Sequence, residues 1–269
     1  MMIPQDQIDQ FQRDGAIRLE SVFEPAWLKK LAEGIEQNMA NPSQYGEMLE
    51  GFFNDYCHWR SIPAFKAFVE ESPAAEIAGQ LMQSSKAIMY HEHVLVKAPG
   101  SVKRTPWHHD QPYYPINGNQ VISLWIPLDP VPVETSLRFV RGSHAWDKWF
   151  MPRKFASEGN YQPSPGRAHV VDRNHYETVP QDIDERPDEY DVLTWPLKLG
   201  DCLAFNMRTL HGAAGNASLT TSRRAIAFRW LGDDARFAER RWDISPPITG
   251  GLTQGDAMEC ETFPMIWQN

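Results

Sequence analysis

Hydrophobic residues in the first third of the chain recur with the period of an amphipathic helix. Leu28, Leu31 and Ile35 would lie on one side of such a helix. Pro25 precedes them, and proline is favoured in a first helical turn. The pattern predicts a helix over residues 26–39. Similar spacing and similar starts predict three further helices, over residues 5–13, 64–70 and 74–83.

From residue 86 onward the pattern changes to that of β-strands. Runs of β-branched and aromatic residues alternate with connectors rich in proline and glycine. Helices followed by a series of strands are typical of an α+β domain. We therefore predict a mainly β structure, a double-layered barrel that N-terminal helices buttress. The predicted strands are Lys86–Lys97, 120–128, Leu137–Val140, 202–205 and Arg223–Leu231.

Nothing in the sequence marks a boundary between domains. It contains no internal repeat, no low-complexity tract and no separating linker, and 269 residues are enough for one large core. We expect a single domain over residues 1–269. Residues 1–85 would form a mainly helical part, residues 86–232 the strand core, and residues 233–269 a C-terminal tail.

Alternation along the last predicted strand distinguishes two faces. One face carries Ile226 and Trp230, which suit packing against the helices. The other carries Arg223 and Arg229 with small alanines between them, which suits the wall of a cavity for an anionic ligand. His91 would face the same cavity from the strand Lys86–Lys97. These residues indicate a polar or anionic substrate.

The charge and cysteine content narrow the class of protein. A net charge of −9 argues against a nucleic-acid or anionic-membrane partner. No apolar run approaches the ~20 residues of a membrane helix, and the first residues lack the features of a signal peptide. The three cysteines form neither a disulfide framework nor a Cys-x-x-Cys site. They suit a reducing compartment, so we expect a cytoplasmic protein.

Three residues have the composition of a non-haem iron site. His108 and Asp110 are separated by one residue, and His211 follows much later in the chain. On a strand, positions i and i+2 point the same way, so His108 and Asp110 would face one ion while His109 faces away, toward solvent or a second layer of the site. Two imidazoles and one carboxylate leave the opposite side of iron open for an oxidant and a co-substrate. His211 must come from another strand of the same barrel.

Two other functions are open on these residues alone. A zinc hydrolase could use the same three ligands with water in the fourth position, and a barrel could bind a ligand without catalysis. Arg223 favours an iron-dependent oxygenase over these two alternatives, because it follows His211 on the next predicted strand. Its planar guanidinium matches a carboxylate and could hold the far end of a dicarboxylate bound to the metal.

Four segments of the sequence carry a specific resemblance. They are residues 107–115 (WHHDQPYYP), 141–144 (RGSH), 210–216 (LHGAAGN) and 223–226 (RRAI). Together they resemble the phytanoyl-CoA dioxygenase family of iron(II)- and 2-oxoglutarate-dependent oxygenases. The resemblance extends from about residue 90 to residue 231, and more weakly to the N-terminal helices and the tail. It implies a double-stranded β-helix whose C-terminal tail covers the site.

The resemblance also implies roles for individual residues. His108, Asp110 and His211 would bind iron(II), and Arg223 would pair with the distal carboxylate of 2-oxoglutarate. With O2 as the second co-substrate, the enzyme would hydroxylate a small organic molecule and release succinate and CO2. Desaturation, ring closure and demethylation use the same residues and stay open.

Two further positions match the co-substrate pocket of the family. They are Trp125 and, more loosely, His93. One interval departs from the family, because the arginine usually follows the last histidine one residue sooner. Either Arg223 or Arg224 therefore fits as the anchor of 2-oxoglutarate. The Arg-Ala-Ile register and the face of small residues favour Arg223.

Overall fold

The computed structural model describes residues 2–155, 159–167, 169–172, 174–180 and 182–269. Over these residues the helices are α1 (Gln5–Asp14), α2 (Pro25–Ala40), α3 (Pro63–Glu71) and α4 (Ala74–Met82). The first eight strands are β1 (Ala16–Leu19), β2 (Glu47–Leu49), β3 (Phe52–Tyr56), β4 (Lys86–Lys97), β5 (Thr105–His108), β6 (Ile116–Asn117), β7 (Val121–Pro127) and β8 (Leu137–Val140). The strands that follow are β9 (Trp149–Phe150), β10 (Tyr176–Glu177), β11 (Val192–Thr194), β12 (Cys202–Asn206), β13 (His211–Ala213), β14 (Arg223–Leu231), β15 (Arg236–Phe237) and β16 (Met265–Gln268).

Eight strands form the larger of two facing sheets. Their order is β1-β12-β7-β14-β4-β3-β2, and β16 also pairs with β4. At the centre, β14 is antiparallel to β4 and to β7. The register sets Arg229 opposite His91 and Ala227 opposite His93. Side chains directly opposite each other share a face of the sheet, so these four residues lie together.

Four antiparallel strands form the smaller sheet, in the order β11-β8-β13-β5. Apolar side chains from both sheets meet between them, including Trp125 of β7 and Phe139 of β8. Two antiparallel sheets packed face to face in this way form the double-stranded β-helix that the sequence resemblance implied. The predicted mainly β fold class is confirmed.

The helices cover the outer face of the larger sheet. Leu28, Leu31 and Ile35 of α2 are buried in one cluster with Phe68 of α3 and Phe228 of β14. The rings of Phe68 and Phe228 stack with their centroids 4.7 Å apart. Burying a large apolar side chain contributes about 1.5–3 kcal/mol, so this layer fixes β14 in place. Residues 1–85 are not purely helical, because β1, β2 and β3 extend the larger sheet at its edges.

A β-bulge divides β4 into two parts. Arg229 pairs with His91 but Trp230 pairs with Met89, so Tyr90 is an extra residue in the ladder. A bulge reverses the alternation that follows it. Met89 accordingly packs toward the helices, whereas Tyr90 and His91 are consecutive residues whose rings meet with centroids 4.6 Å apart.

The C-terminal tail has two separate attachments. Ser245 and Pro246 line the space between the two sheets, and the backbone N–H of Ser245 donates to the carbonyl of Tyr113 (2.9 Å). Farther along, β16 pairs with the beginning of β4. Among the described residues, no helix combines the length and apolar character that a membrane span requires.

Candidate active site

A cavity of about 380 Å³ opens between the two sheets. Its walls combine aromatic and aliphatic side chains with a small number of polar groups, as is typical of sites for small molecules. The lining includes every residue that the sequence predicted for the site: His93, His108, Asp110, Trp125, His211 and Arg223.

The structure brings His108, Asp110 and His211 together. One potential ligand atom from each lies within 4.8 Å of the other two, and all three residues are buried. His108 ends β5 and His211 begins β13, and the two residues pair across these antiparallel strands. Asp110 does not lie on the strand, as the i, i+2 argument assumed, since its backbone is already helical (φ −73°, ψ −39°). The turn after β5, and not strand alternation, directs its carboxylate to the histidines.

Both histidines present the same nitrogen to this carboxylate. Nδ1 of His108 contacts the carbonyl of Pro106 (2.8 Å), and Nδ1 of His211 contacts the carbonyl of Thr209 (2.9 Å). A carbonyl only accepts a hydrogen bond, so each Nδ1 carries the proton and each Nε2 keeps its lone pair. The Nε2 atoms lie 3.4 and 3.7 Å from Oδ1 of Asp110. Three lone-pair donors therefore converge on one point.

Arg229 holds the other oxygen of Asp110. Its Nη2 donates to Oδ2 of Asp110 at 3.2 Å, and both side chains are buried. Burial by itself would raise the pKa of Asp110, but the positive charge of the adjacent Arg229 guanidinium holds the pKa of this carboxyl well below its usual range. Burial lowers the pKa of His211 to about 3. The cluster therefore offers an ionised carboxylate and a neutral imidazole, the forms that bind metal ions.

His109 faces away from the three ligands but not toward solvent. It is 2% exposed, and its Nε2 accepts the backbone N–H of Phe150 at 2.9 Å. Its Nδ1 lies 3.3 Å from the carbonyl of Arg208. The alternative that placed it in solvent is therefore wrong. His109 ties the turn after β5 to two neighbouring segments.

Arg223 lies at the far end of the cavity, at the beginning of β14. Its side chain is 8% exposed, and Nη1 donates to the carbonyl of Thr135. Burial lowers its pKa to about 10. Trp125 and Leu137 are among the apolar side chains that line the same cavity, and Lys97 lies opposite Arg223 in the register of β4 and β14. A buried guanidinium beside another cationic side chain calls for an anionic partner.

Arg224 is excluded from this cavity. Its Nε and Nη2 atoms form a two-pronged contact with the carboxylate of Asp129, at 3.1 and 2.9 Å. Of the two arginines that the sequence left open, Arg223 lines the cavity and Arg224 does not.

Trp125 and His93 both line the cavity. Trp125 is opposite Ala227 on β14 and is 3% exposed. His93 is opposite Ala227 on the other side, and burial lowers the pKa of its imidazole to about 3. The small side chain of Ala227 leaves room between these two rings.

Several residues that line the cavity had no sequence signal strong enough to identify them. Phe155 packs its ring 4.8 Å from that of His108, and Tyr161 meets Tyr113 at 5.6 Å. The contact of Arg229 with Asp110 also needed the structure, although strand alternation correctly placed Arg229 on the inner face. Loop residues such as Phe155 and Tyr161 have no periodicity from which their direction could be predicted.

The donor set fits a mononuclear iron(II) site. Two imidazoles and one carboxylate suit iron with open positions on the other side. The Nδ1 hydrogen bonds to backbone carbonyls and the Arg229 contact with Asp110 supply the outer partners that orient such ligands.

Comparisons with known proteins agree with this geometry. The family model described as phytanoyl-CoA dioxygenase (PhyH) matches residues 11–225. No curated protein sequence matches the chain significantly.

Three solved structures share the fold over nearly the whole chain. The non-heme α-ketoglutarate-dependent carbocyclase SnoK from nogalamycin biosynthesis has 21% identity and a TM-score of 0.74, covering 98% of this chain and 97% of that chain. The epimerase SnoN, in complex with Fe³⁺, α-ketoglutarate (2-oxoglutarate) and nogalamycin RO, has 18% identity and a TM-score of 0.71, with 98% of each chain covered. EctD from S. alaskensis, with 2-oxoglutarate and 5-hydroxyectoine, has 15% identity and a TM-score of 0.70, covering 95% of this chain and 86% of that chain.

At these identities the solved structures establish the fold and not the reaction. The family match is different in kind, because it spans most of the chain and includes the turn after β5, the beginning of β13 and the beginning of β14. This chain therefore belongs to the phytanoyl-CoA dioxygenase family of iron(II)- and 2-oxoglutarate-dependent oxygenases.

Proposed function

We propose that the protein is a hydroxylase of a small organic molecule, with iron(II), 2-oxoglutarate and O2 as its cofactor and co-substrates. His108, Asp110 and His211 bind the iron, and Arg223 binds the distal carboxylate of 2-oxoglutarate. The observation that carries this proposal is the convergence of Nε2 of both histidines on Oδ1 of Asp110 in a cavity that also contains Arg223.

When bound, the iron supplies the oxidising chemistry, coupling decarboxylation of 2-oxoglutarate to oxidation of a substrate C–H bond. The residues of this chain bind, orient and exclude water. The backbone hydrogen bonds of His108 and His211 fix the ring orientations before metal binds. Arg223 sets the direction of 2-oxoglutarate, while Trp125 and His93 restrict its position from two sides. Such fixed positioning is how a protein lowers the entropic part of a barrier.

The tail and the aromatic loops would shield this reaction from solvent. Ser245 and Pro246 from residues 233–269 lie at the cavity, together with Phe155 and Tyr161. We propose that this tail covers the site within a single domain of residues 1–269. Exclusion of water strengthens the electrostatic contacts inside such a site.

The proposed substrate is polar or anionic, because Arg229 and His91 lie on the inner face of the barrel. The three cysteines are free thiols, which supports the reducing, cytoplasmic location that we expect. A zinc hydrolase has less support, since it has no need of a buried arginine such as Arg223 in the same cavity.

An anaerobic titration tests the cofactor chemistry first. Iron(II) and 2-oxoglutarate added to the apo-protein should give the visible charge-transfer band of a chelated keto acid, and His108→Ala should not give it. A tight zinc site with no such band would contradict the proposal.

A substrate screen then tests hydroxylation. Succinate formation identifies a substrate, and mass spectrometry under ¹⁸O2 should show that the product gains one labelled oxygen atom. Loss of two hydrogen atoms without added oxygen would instead show desaturation or ring closure. The same reactions with Arg224→Gln serve as a control, since this variant loses an arginine that lies outside the cavity.

A further inference from the structure

Arg229 has more hydrogen-bonding capacity than Asp110 uses. A guanidinium has five N–H donors, and Arg229 uses Nη2 for Asp110 and also interacts with the hydroxyl of Tyr114. Among the described residues, Nε and Nη1 of Arg229 are buried without a hydrogen-bond partner. A buried polar group without a partner lowers stability, and a charged one lowers it more. These atoms therefore point to a ligand.

Two histidines next to Arg229 also have a buried ring nitrogen without a hydrogen-bond partner. His91 lies opposite Arg229 in the register of β4 and β14, and its Nδ1 is buried without a partner. His93 follows on the same face of β4, and its Nε2 also lacks one. All three side chains line the cavity, so their unused polar atoms lie close together at one part of its wall.

The position of this group separates it from the 2-oxoglutarate anchor. Arg223 and Arg229 stand six positions apart on one face of β14, so their Cα atoms lie roughly 20 Å apart. Asp110 is at the Arg229 end. A co-substrate that extends from the ligands toward Arg223 leaves the Arg229 end for the substrate. Aromatic rings, including those of Tyr114 and Tyr113, line that end.

A count of charges gives the sign of the missing group. Bound iron(II) and 2-oxoglutarate would cancel each other, and Asp110 offsets one of the buried cationic side chains of the lining, which include Lys97, Arg223 and Arg229. Positive charge then exceeds negative charge in a buried cavity, a costly arrangement. Lysines and arginines also outnumber carboxylates among the described lining residues, in a chain whose net charge is −9. An anionic substrate would balance this charge.

We infer that Arg229 and His91 form a subsite for a carboxylate or similar small oxyanion of the substrate, and that His93, opposite Ala227, lies at the border between this subsite and 2-oxoglutarate. The inference rests on the proposed function and specifies its substrate class. Arg229 bridges two anions, Asp110 on one side and the substrate on the other, and His91 donates one further hydrogen bond to the substrate oxyanion. The tyrosines beside them bind the apolar body of an aromatic or alicyclic acid.

A matched pair of probes tests the subsite without knowledge of the natural substrate. Phenylacetate carries the carboxylate, and phenylacetamide is its neutral counterpart. The protein is loaded with manganese(II) and saturating 2-oxoglutarate, which fills the Arg223 end. Paramagnetic broadening of the probe's NMR signals, relative to the zinc-loaded protein, then reports binding near the metal. We expect phenylacetate to bind at least about tenfold more tightly than phenylacetamide.

Variants assign the preference to Arg229. Arg229→Gln keeps a donor for Asp110 but removes the charge, and should weaken phenylacetate binding about tenfold or more, whereas Arg229→Lys should retain most of it. His91→Phe leaves the contact between Arg229 and Asp110 intact and should weaken phenylacetate binding several-fold. This variant therefore tests the subsite even if Arg229→Gln no longer binds the metal. Arg104→Gln removes the same charge from another part of the lining and should change binding less than about twofold.

The outcomes separate this inference from the proposed function. If the iron(II)–2-oxoglutarate band forms but both probes bind equally, the subsite is wrong and the oxygenase assignment stands. If Arg104→Gln and Arg229→Gln weakened phenylacetate binding equally, the subsite would also be overturned, because the attraction would then come from the overall positive charge of the cavity. If the band never forms, the proposed function fails and the subsite falls with it.

Discussion

Arg223 and Arg224 are consecutive residues whose side chains lie on opposite faces of β14. Arg223 is buried inside the barrel beside the carbonyl of Thr135. Arg224 lies outside it, in a two-pronged contact with Asp129. Substituting either residue removes one arginine from the same strand. The pair therefore tests whether the position of the side chain, inside or outside the barrel, determines its role.

Arg223→Gln should raise the KM for 2-oxoglutarate by about tenfold or more, because a charge-assisted contact to the distal carboxylate is lost. The value of kcat at saturating 2-oxoglutarate should fall less. Arg224→Gln should leave this KM within about twofold and lower the thermal stability instead. Steady-state assays of succinate formation and a thermal melt measure both. A raised KM in Arg224→Gln alone would reverse the assignment.

His108 and His109 form a second matched pair. His108→Ala should abolish iron(II) binding, measured by anaerobic equilibrium dialysis, while the melting temperature of the apo-protein changes little. His109→Phe should retain iron binding and lower the free energy of unfolding by about 1–3 kcal/mol, because the buried N–H of Phe150 loses its acceptor. Loss of iron from both variants, or from neither, would contradict the geometry.

The attachment of the tail depends on Gly79 of α4. A Cβ atom at this position would lie 2.3 Å from Cζ3 of Trp267 in β16. Gly79→Ala should therefore lower the free energy of unfolding by about 1–3 kcal/mol, although alanine normally favours a helix over glycine by about 1 kcal/mol.

Trp267→Ala is the control for this clash. Combined with Gly79→Ala, it should make the glycine substitution neutral or stabilising, because the ring is gone. Denaturant unfolding of the wild type, the two single variants and the double variant measures the coupling energy between Gly79 and Trp267. A Gly79→Ala variant as stable as the wild type would show that β16 does not press against α4.

Glu92 should make stability depend on pH. It is fully buried on the helix side of β4, and burial raises its pKa from the ordinary value of 4.5 to about 8. Between these values the unfolded chain releases a proton that the folded protein keeps. The free energy of unfolding should therefore fall as pH rises from about 4.5 to about 8.

Glu92→Gln removes this titration and keeps an acceptor for the backbone N–H of His58. The variant should be more stable than the wild type at pH 8, on the order of a few kcal/mol, and the gain should shrink toward pH 5. Urea unfolding of the apo-protein across this range measures the difference. Glu70→Gln, at an exposed ion pair with Lys66, retains Glu92, so its free energy of unfolding should fall with pH in parallel with that of the wild type. Parallel curves for wild type and Glu92→Gln would refute a neutral Glu92.

The sequence predicted the site where a regular period or a specific motif was available. Strict alternation placed Arg223 and Arg229 inside and Trp230 outside, as the structure has them. All four helices begin and end within one residue of the predicted bounds, because proline starts and apolar spacing agree there. These signals are local, and local signals can be read from sequence alone.

The remaining features depend on contacts between distant segments. Asp110 leaves its strand, and its partner Arg229 lies far away in the chain. The short strands β1, β2 and β3 also went unpredicted. They are three to five residues long, too short for a period to show, and their pairing partners define them.

The bulge in β4 has a consequence for how this protein tolerates insertion and deletion. Downstream of Tyr90 the strand presents His91 and His93 to the cavity, and upstream it presents Met89 to the helices. Removing one residue at the bulge would repair the ladder yet shift one half of the strand against the other. Either the inward histidines or the helix-facing side chains would then exchange places with their neighbours. A residue that looks superfluous in the hydrogen-bond ladder thus keeps two halves of one strand in phase with two different surroundings.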